Sequence, residues 1–354
     1  MEKRVLVGMS GGVDSSVAAV LLQESGYACV GGTMKLWSGD GKCGSADDAG
    51  DARGVAQRLG MEHHVFDASA AFDRNVIRPF VETYETGGTP NPCIDCNRTM
   101  KFTHMYALAK SLGCDAIATG HYARIARRED GRWLLKKGLD ESKDQSYFLY
   151  VLTQEMLSRT LFPVGELHKE EVRALAERHG LINARKKDSQ DICFVPDGDY
   201  GAFIRGYTGK DYPAGDFVDE TGTVLGCHSG MIHYTTGQRR GLGVSGGKPL
   251  YVCRKCPESN TIVLSGNDAL FSRVLYADRL NLITADCLKE PLRCCARVRY
   301  RHREQPATVT QLEKDLLRVE FDEPQRAITE GQAVVLYDGD TVIGGGTIRM
   351  LSKG

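Results

Sequence analysis

The first half of the chain alternates short apolar runs with amphipathic stretches. Val5, Leu6 and Val7 form an apolar run that reads as a buried strand. The run empties into a glycine-rich turn, and a helix restarts at Asp14, reaches about residue 24 and stops at Gly26. Residues 28–35 follow as a strand. From about 45 to 59, Ala49, Ala52, Val55, Ala56 and Leu59 recur at helical spacing, and Gly60 ends the run. A short strand at 64–66 precedes a helix from about 70 to 84. Residues 85–95, ETGGTPNPCID, carry two glycines and two prolines and read as a loop. A helix over 97–112 and a buried strand over 115–119 complete the repetition. This β-α alternation predicts an α/β fold built on a parallel, doubly wound sheet, with ligands at the carboxyl ends of its strands.

Beyond Gly120 the texture changes. Residues 122–138 read as a hairpin turning at Asp130-Gly131, outside the β-α repeat. Helical spacing dominates from 146 to about 179. From about 206 glycines become frequent and strands short, with a turn at 219–224 (DETGTV). From about 273 onward, segments 293–302, 307–312, 316–321, 333–337 and 342–348 read as strands of a small β-barrel. A chain of 354 residues is expected to form two or three domains. The divisions fall at 1–205 (a nucleotide-binding catalytic domain), 206–272 (a small central α+β domain) and 273–354 (the barrel).

Composition narrows the class. Hydrophobic residues at 42% and charged residues at 26% are ordinary for a soluble protein. No run of about 18 apolar residues appears, and the N-terminal apolar stretch is too short for a signal peptide, so a cytoplasmic protein with no membrane partner is expected. Twelve cysteines in that setting point to metal or redox chemistry rather than a disulfide framework. A net charge of -1 gives no global attraction to nucleic acid, so RNA binding would need a local basic face.

Three features carry chemistry. The first is GMSGGVDSS, covering Gly8, Met9, Ser10, Gly11, Gly12, Val13, Asp14, Ser15 and Ser16. Its glycines let the backbone approach a ligand, its serines add hydroxyl donors, and the helix N-terminus attracts an anion. No lysine follows the glycines, so this is not the G-x-x-x-x-G-K-[ST] loop; SGGVDS resembles the pyrophosphate loop of ATP-pyrophosphatases. A bare strand–helix turn would need only a capping serine. Met34, ending the second strand, is placed either to pack on an adenine or to fill core, and Gly120 and His121 end another strand.

The second feature is the set Cys93, Cys96 and Cys193. The first two precede the helix at Asn97, where the dipole and Lys101 are expected to lower a thiol pKa from its usual ~8.5. Three readings stay open: a nucleophile and a sulfur carrier finishing as a disulfide, three ligands of an iron–sulfur cluster with an open iron, or a structural zinc site completed from Cys253-x-x-Cys256. Cys29, Cys114 and Cys295 read as apolar filler. The third feature is LRCCARVRYRHR, residues 292–303. In a strand Arg293, Arg297, Arg299, Arg301 and Arg303 share one face, which is expected to bind a phosphate backbone, with Arg185-Lys186-Lys187 extending it.

Taken together the chain resembles the bacterial tRNA-specific 2-thiouridylases over nearly its whole length. The motifs are SGGVDSS (10–16), TPNPCIDCNRTMKF (89–102), ATGHYA (118–123), KDQSYFL (143–149), KKDSQDICF (186–194), TTGQRRGLG (235–243) and RVRYRH (297–302). The resemblance implies a transferase that replaces the C2 oxygen of tRNA uridine 34 with sulfur, using ATP and Mg2+ to adenylate that oxygen and releasing pyrophosphate and AMP. It assigns Cys193 as carrier of a persulfide supplied by a sulfur-relay protein or cysteine desulfurase. Cys96 becomes the nucleophile that resolves it, leaving a Cys96–Cys193 disulfide. It also implies an ATP site over residues 8–15 with Met34 and Gly120, and Asp14 at the magnesium–pyrophosphate group. Asn91, Pro92 and Cys93 would meet the flipped-out base. His121, Lys143, Asp144 and Gln145 would touch tRNA in the anticodon stem-loop, and Tyr300, Arg301 and Gln332 would grip it further out. Some members carry aspartate at the Cys93 position, so Cys93, Cys96 and Cys193 as ligands of a [4Fe–4S] cluster stand as the alternative route. Two other functions share parts of the pattern: a ligase or amidotransferase acting on a small molecule, and a non-catalytic nucleotide- or tRNA-binding protein with a structural metal.

Overall fold

The computed structural model describes residues 3–37, 46–186, 192–195, 197–244 and 247–350. Its first unit is built on β1 (Arg4–Gly8), α1 (Val13–Glu24), β2 (Ala28–Lys35), α2 (Ala46–Arg58) and β3 (Glu62–Asp67). Next come two long helices, each of three consecutive segments with a π-helical stretch inside. These are α3 (Ser69–Phe72, π-helical Asp73–Ile77, Arg78–Glu85) and α4 (Pro92–Asp95, π-helical Cys96–His104, Met105–Ser111). The strands β4 (Ala116–Ala118) and, further on, β7 (Thr160–Leu161) complete a parallel sheet in the order β3-β2-β1-β4-β7. The expected doubly wound sheet is therefore present, with the apolar run Val5, Leu6 and Val7 at its fully buried centre. Strand order reverses between β1 and β4, and the loops leaving those strands open into one crevice.

Two local expectations are corrected. The loop over 85–95 is shorter than its composition suggests, because α4 opens at Pro92. Proline suits a first helical position, where its missing N–H would have no partner and its φ is already helical. Cys93 and Cys96 thus lie within the helix rather than ahead of it. The stretch read as helical from 146 to 179 consists of α5 (Ser146–Leu149), α6 (Gln154–Ser158), the two-residue β7 and α7 (Lys169–Arg178). A two-residue strand is too short to leave a period.

The hairpin β5 (Ala123–Arg127) and β6 (Trp133–Lys137) leaves the β-α repeat as expected and joins the C-terminal sheet, pairing with its last strand through Thr341↔Lys136 and Val342↔Leu135. That sheet contains β12 (Phe271–Leu282), β13 (Leu292–Arg297), β14 (Gln305–Glu313), β15 (Leu316–Arg326), β16 (Ala333–Asp338) and β17 (Thr341–Arg349). Pairing of β12 with both β15 and β17 closes it into the expected barrel. Between the two units lie α8 (Tyr200–Thr208) and a four-stranded sheet of β8 (Gly215–Val218), β9 (Val224–His228), β10 (Tyr251–Cys256) and β11 (Thr261–Ser265), in the order β10-β11-β8-β9. The barrel is tied to the first unit by buried polar contacts: Tyr147 Oη donates to Ala333 O at 3.0 Å, and Asn281 Nδ2 to Tyr150 O and Leu152 O at 2.6 and 2.9 Å. Among the described residues no helix is long and apolar enough to cross a membrane.

The row of five guanidiniums does not survive folding. β13 stops at Arg297, so the strict alternation ends there. Arg293 pairs with Asp322, and Arg297 donates to Glu304 at 2.8 Å. Arg299 is largely buried and donates to Thr236 O, Ala327 O and Thr329 Oγ1 at 3.3, 3.2 and 2.6 Å. Only Arg301 and Arg303 continue the row as exposed side chains with no ion pair among the described residues. Lys186 is likewise held by Asp48 and Asp51 at 2.8 and 2.6 Å, and Lys187 lies outside the described residues. Removing the Arg299 donors would strand buried acceptors. In urea titrations Arg299→Ala is expected to destabilise by about 1–3 kcal/mol, while Arg301→Ala stays within about 0.5 kcal/mol of the parent.

Candidate active site

The loop from β1 to α1 is shaped by what surrounds it. Gly11 has φ +71, and a β-carbon there would stand 2.5 Å from Asp48 O, so both backbone conformation and the approach of α2 demand glycine. Gly12 caps α1 with its backbone; Ser15 Oγ and Ser16 Oγ donate to Gly12 O at 3.1 and 3.0 Å, and Ser10 N donates to Ser15 Oγ at 3.2 Å. The serines thus rigidify the turn while the first amides of α1 face the crevice between β1 and β4. Met9 is buried beneath, and Val13 packs into the core. Met34 is partly buried between two hydrophobic clusters.

Gly120 closes the opposite wall. A β-carbon there would stand 2.5 Å from both Asp14 C and Ser15 N, so the backbone after β4 rests directly on the first turn of α1. A β-carbon at Gly8 would stand 2.8 Å from Met105 Sδ, which places α4 against the same loop.

Two side chains that sequence reading missed complete the loop. Lys169, the first residue of α7 and 8% exposed, places Nζ 2.7 and 2.9 Å from the two Asp14 carboxylate oxygens, and Tyr122 Oη donates to Asp14 Oδ1 at 2.8 Å. The loop lacks a following lysine, yet a lysine reaches it from 155 residues further along the chain. Buried Asn183 donates from Nδ2 to Gly11 O and Ser16 Oγ at 3.0 and 2.9 Å. Its Oδ1 has no partner among the described residues. Neither residue carries a local signal, since each sits at a helix end or turn that reads as ordinary.

The thiols behave differently from the expectation. Cys96 is buried in the cluster that also takes in Cys193, and burial pushes its pKa up to about 12. The Lys101 charge opposes this but is outweighed, and the nearby Cys193 and Cys93 thiols raise it further. Desolvation of the thiolate therefore wins over dipole and lysine. The same interactions bring Cys93, Cys96 and Cys193 into one neighbourhood, with Cys93 exposed. Among the described residues no three histidine, cysteine or acidic side chains are grouped to hold a metal ion. Among the described residues the structure thus lends no support to the cluster or the zinc reading. Cys253 Sγ instead donates to Tyr251 O at 3.5 Å. Most of the KKDSQDICF motif, residues 187–191, and Pro196 lie outside the described residues.

Comparison with known proteins decides the assignment. Residues 3–197 match the family model described as tRNA methyl transferase HUP domain, 201–266 the PRC-barrel domain model of the same series, and 272–348 an aminomethyltransferase beta-barrel domain. The tRNA-specific 2-thiouridylase MnmA of Clostridioides difficile is 48% identical, the alignment covering 99% of each chain. The protein of the same name from Acetivibrio thermocellus is 50% identical over 98% of this chain and 99% of its own. This chain belongs to the tRNA-specific 2-thiouridylase family. Solved structures resemble it more distantly: a 4-thiouridine synthetase–RNA complex with ATP (18% identity, TM-score 0.40, covering 55% of this chain and 46% of the other) and the NMN synthetase of Francisella tularensis (18%, 0.36, covering 60% and 79%).

Against that family the remaining residues can be placed. His121 is buried: Thr119 Oγ1 lies 2.7 Å from Nδ1, Lys101 Nζ donates to Nε2 at 3.4 Å, and Phe102 and Phe162 pack on the ring. Burial, with Lys101 beside it, holds its pKa well below the usual value, so the ring is neutral. Lys101 sits five residues after Cys96 inside the π-helical stretch, whose i→i+5 bonding brings those positions onto nearby faces. Asp144 is buried and accepts from Gly138 N, Ser146 N and Ser146 Oγ at 3.1, 3.1 and 2.8 Å. Gln145 Oε1 accepts from Tyr122 N at 3.0 Å, and Lys143 is partly exposed between the two turns. Both Asp144 and Gln145 thus organise the KDQSYFL turn. Tyr300 packs on Phe148 with ring centroids 4.4 Å apart. Arg301 lines an open hollow of about 480 Å³ with Phe271, Arg303 and Arg326. Gln332 Nε2 donates to Thr89 O and Pro90 O, both at 3.0 Å, just ahead of half-buried Asn91 and buried Pro92.

The thiol environments give a direct expectation. With a pKa near 12, Cys96 is almost wholly protonated at pH 8, and its thiolate fraction grows about tenfold per pH unit. Under native conditions iodoacetamide should modify exposed Cys93 well before Cys96, with Cys96 labelling rising steeply from pH 8 to 10. Mass mapping of the labelled peptides checks it; equal labelling at pH 8 would contradict the buried, protonated thiol.

Proposed function

We propose that the chain carries out ATP-dependent 2-thiolation of uridine 34 in tRNA, in the cytoplasm, by a persulfide route. The observation that carries this reading is a continuous path of contacts from the glycine loop to the thiols. Gly120 rests on Asp14 and Ser15, His121 next to it meets Lys101, and Lys101 acts on Cys96 in the same helix. A small-molecule ligase would need the loop but no thiols at its far side.

In this scheme the triphosphate lies along the N-terminus of α1, where backbone amides face the phosphates and develop their strongest interaction as charge grows on the departing pyrophosphate. Asp14 would be the carboxylate to hold Mg2+, which when bound would neutralise phosphate charge, and Lys169 supplies a fixed positive charge at the same point. The uridine O2 attacks the α-phosphorus and pyrophosphate leaves. Next, the terminal sulfur of a Cys193 persulfide bonds to C2 and AMP departs. Cys96 then attacks Cys193 Sγ and breaks the remaining sulfur–sulfur bond. Sulfur stays on the base, and a Cys96–Cys193 disulfide is left for an external thiol to reduce. The persulfide sulfur is supplied by a relay protein or a cysteine desulfurase. Asn91, Pro92 and Cys93 border the space for the flipped base, and exposed Arg301 with partly exposed Lys143 provides positive charge for the RNA.

Thiolation of unmodified tRNA with ATP and a persulfide donor tests the scheme. Cys193→Ala should abolish product while leaving tRNA affinity within about twofold; loss of both would make Cys193 structural. Lys169→Met should slow adenylation, read as pyrophosphate release, by at least roughly tenfold, the loss of one charge-assisted contact, with tRNA binding unchanged. Unaltered pyrophosphate release would remove Lys169 from the phosphate site.

A further inference from the structure

Lys255, on β10 of the central unit, is 9% exposed, and no carboxylate lies within ion-pairing distance of it among the described residues. Its ammonium donates to Gly88 O at 3.2 Å and Tyr234 O at 3.0 Å, and stands 5.5 Å from the centroid of the Tyr84 ring. Burial pushes its pKa down to about 8. A cation held only by carbonyls and a ring face is costly to bury, and an apolar side chain of similar volume would usually fill such a space at lower cost. The place it reaches is the short loop, residues 86–91, that leads into α4 and its two cysteines.

That loop is gripped from the other side by the barrel. Gln332 Nε2 donates to Thr89 O and Pro90 O, and Thr89 N donates to Glu330 O at 2.8 Å. Gly87 has φ +86 and lies against Pro257, next to the central strand carrying Lys255; a β-carbon there would stand 3.2 Å from that proline. Within its own unit the loop is held by Gly88 N donating to Thr83 O at 2.9 Å. Six residues are therefore fixed by three different parts of the molecule, immediately before Cys93 and Cys96.

We propose that Lys255 and Gln332 are positioning residues for the reactive cysteines, clamping the 86–91 loop from the central unit and the barrel so that α4 starts in one register and keeps Cys96 buried. Both units that grip the loop are C-terminal to the whole thiol site. RNA seated on either of them would act on the cysteine helix through these two side chains. The second statement rests on the thiolation reading, while the first does not.

The test uses the full chain without ATP or tRNA. Lys255→Met, Lys255→Arg and Gln332→Leu are compared with the parent for the rate of Cys96 labelling by iodoacetamide at fixed pH, mapped by mass spectrometry, alongside thermal melting. Lys255→Met and Gln332→Leu should each raise Cys96 labelling by roughly tenfold, the effect of losing a local hydrogen-bonded closure. Lys255→Arg, which keeps charge and donors, should recover most of the protection. The melting temperature of Lys255→Met should move little, because relief of desolvation offsets the lost bonds. Cys96 labelling unchanged in both Lys255→Met and Gln332→Leu overturns the proposal. So does a fall in melting temperature with Cys96 still protected, which would make the two side chains interdomain glue. If Lys255→Met does not fold, Gln332→Leu decides alone. Labelling is read without turnover, so this result and the thiolation assay can fail separately.

Discussion

Gly120 lies against the first turn of α1 with no space for a β-carbon, and much of the site follows from that contact. It fixes the backbone after β4 relative to the amides at the head of α1. His121, the next residue, is then held between Phe102 and Phe162 with its Nε2 facing Lys101. Lys101 belongs to the helix that carries Cys93 and Cys96. The glycine loop and the cysteine helix are thereby related through backbone and a neutral ring. Any side chain at 120 would push β4 off α1 and move all of these groups together.

Burial of Cys96 follows from the same rigidity and has a chemical consequence. A thiol with a pKa near 12 is a poor nucleophile at rest and resists oxidation. Burial thus keeps the resting thiol from reacting early. The counterweight is already in place, because Lys101 is the one group among those acting on Cys96 that favours its thiolate.

The architecture was largely legible in the chain. Val5-Leu6-Val7 followed by glycines, and the helical spacing of Ala49 to Leu59, specify buried strand and amphipathic helix by period alone, and a parallel sheet follows from their repetition. The candidate loop was legible for the same reason: its glycines and serines act locally, within one turn. What was not legible depends on contacts between distant segments. Lys169 and Asn183 reach the loop from more than 150 residues away, and nothing in their neighbourhoods marks a partner. The Cys96 pKa was misjudged because dipole and lysine are visible in sequence, whereas burial by Phe72, Phe80 and Phe194 in the same cluster is not.

The arginine-rich strand makes the same point about charge. Alternation of arginines over 293–303 holds as a surface pattern only if the strand continues, and it ends at Arg297. Beyond that point Arg299 turns inward and ties Thr236 of the central unit to Ala327 and Thr329 of the barrel. These guanidiniums act as multidentate donors to carbonyls and carboxylates, which suits their planar fork. With a net charge of -1 and much of the apparent basic face folded inward, little unpaired charge is left for RNA on this stretch beyond Arg301 and Arg303. Arg299 is thus spent on holding the central unit against the barrel and not on a surface charge.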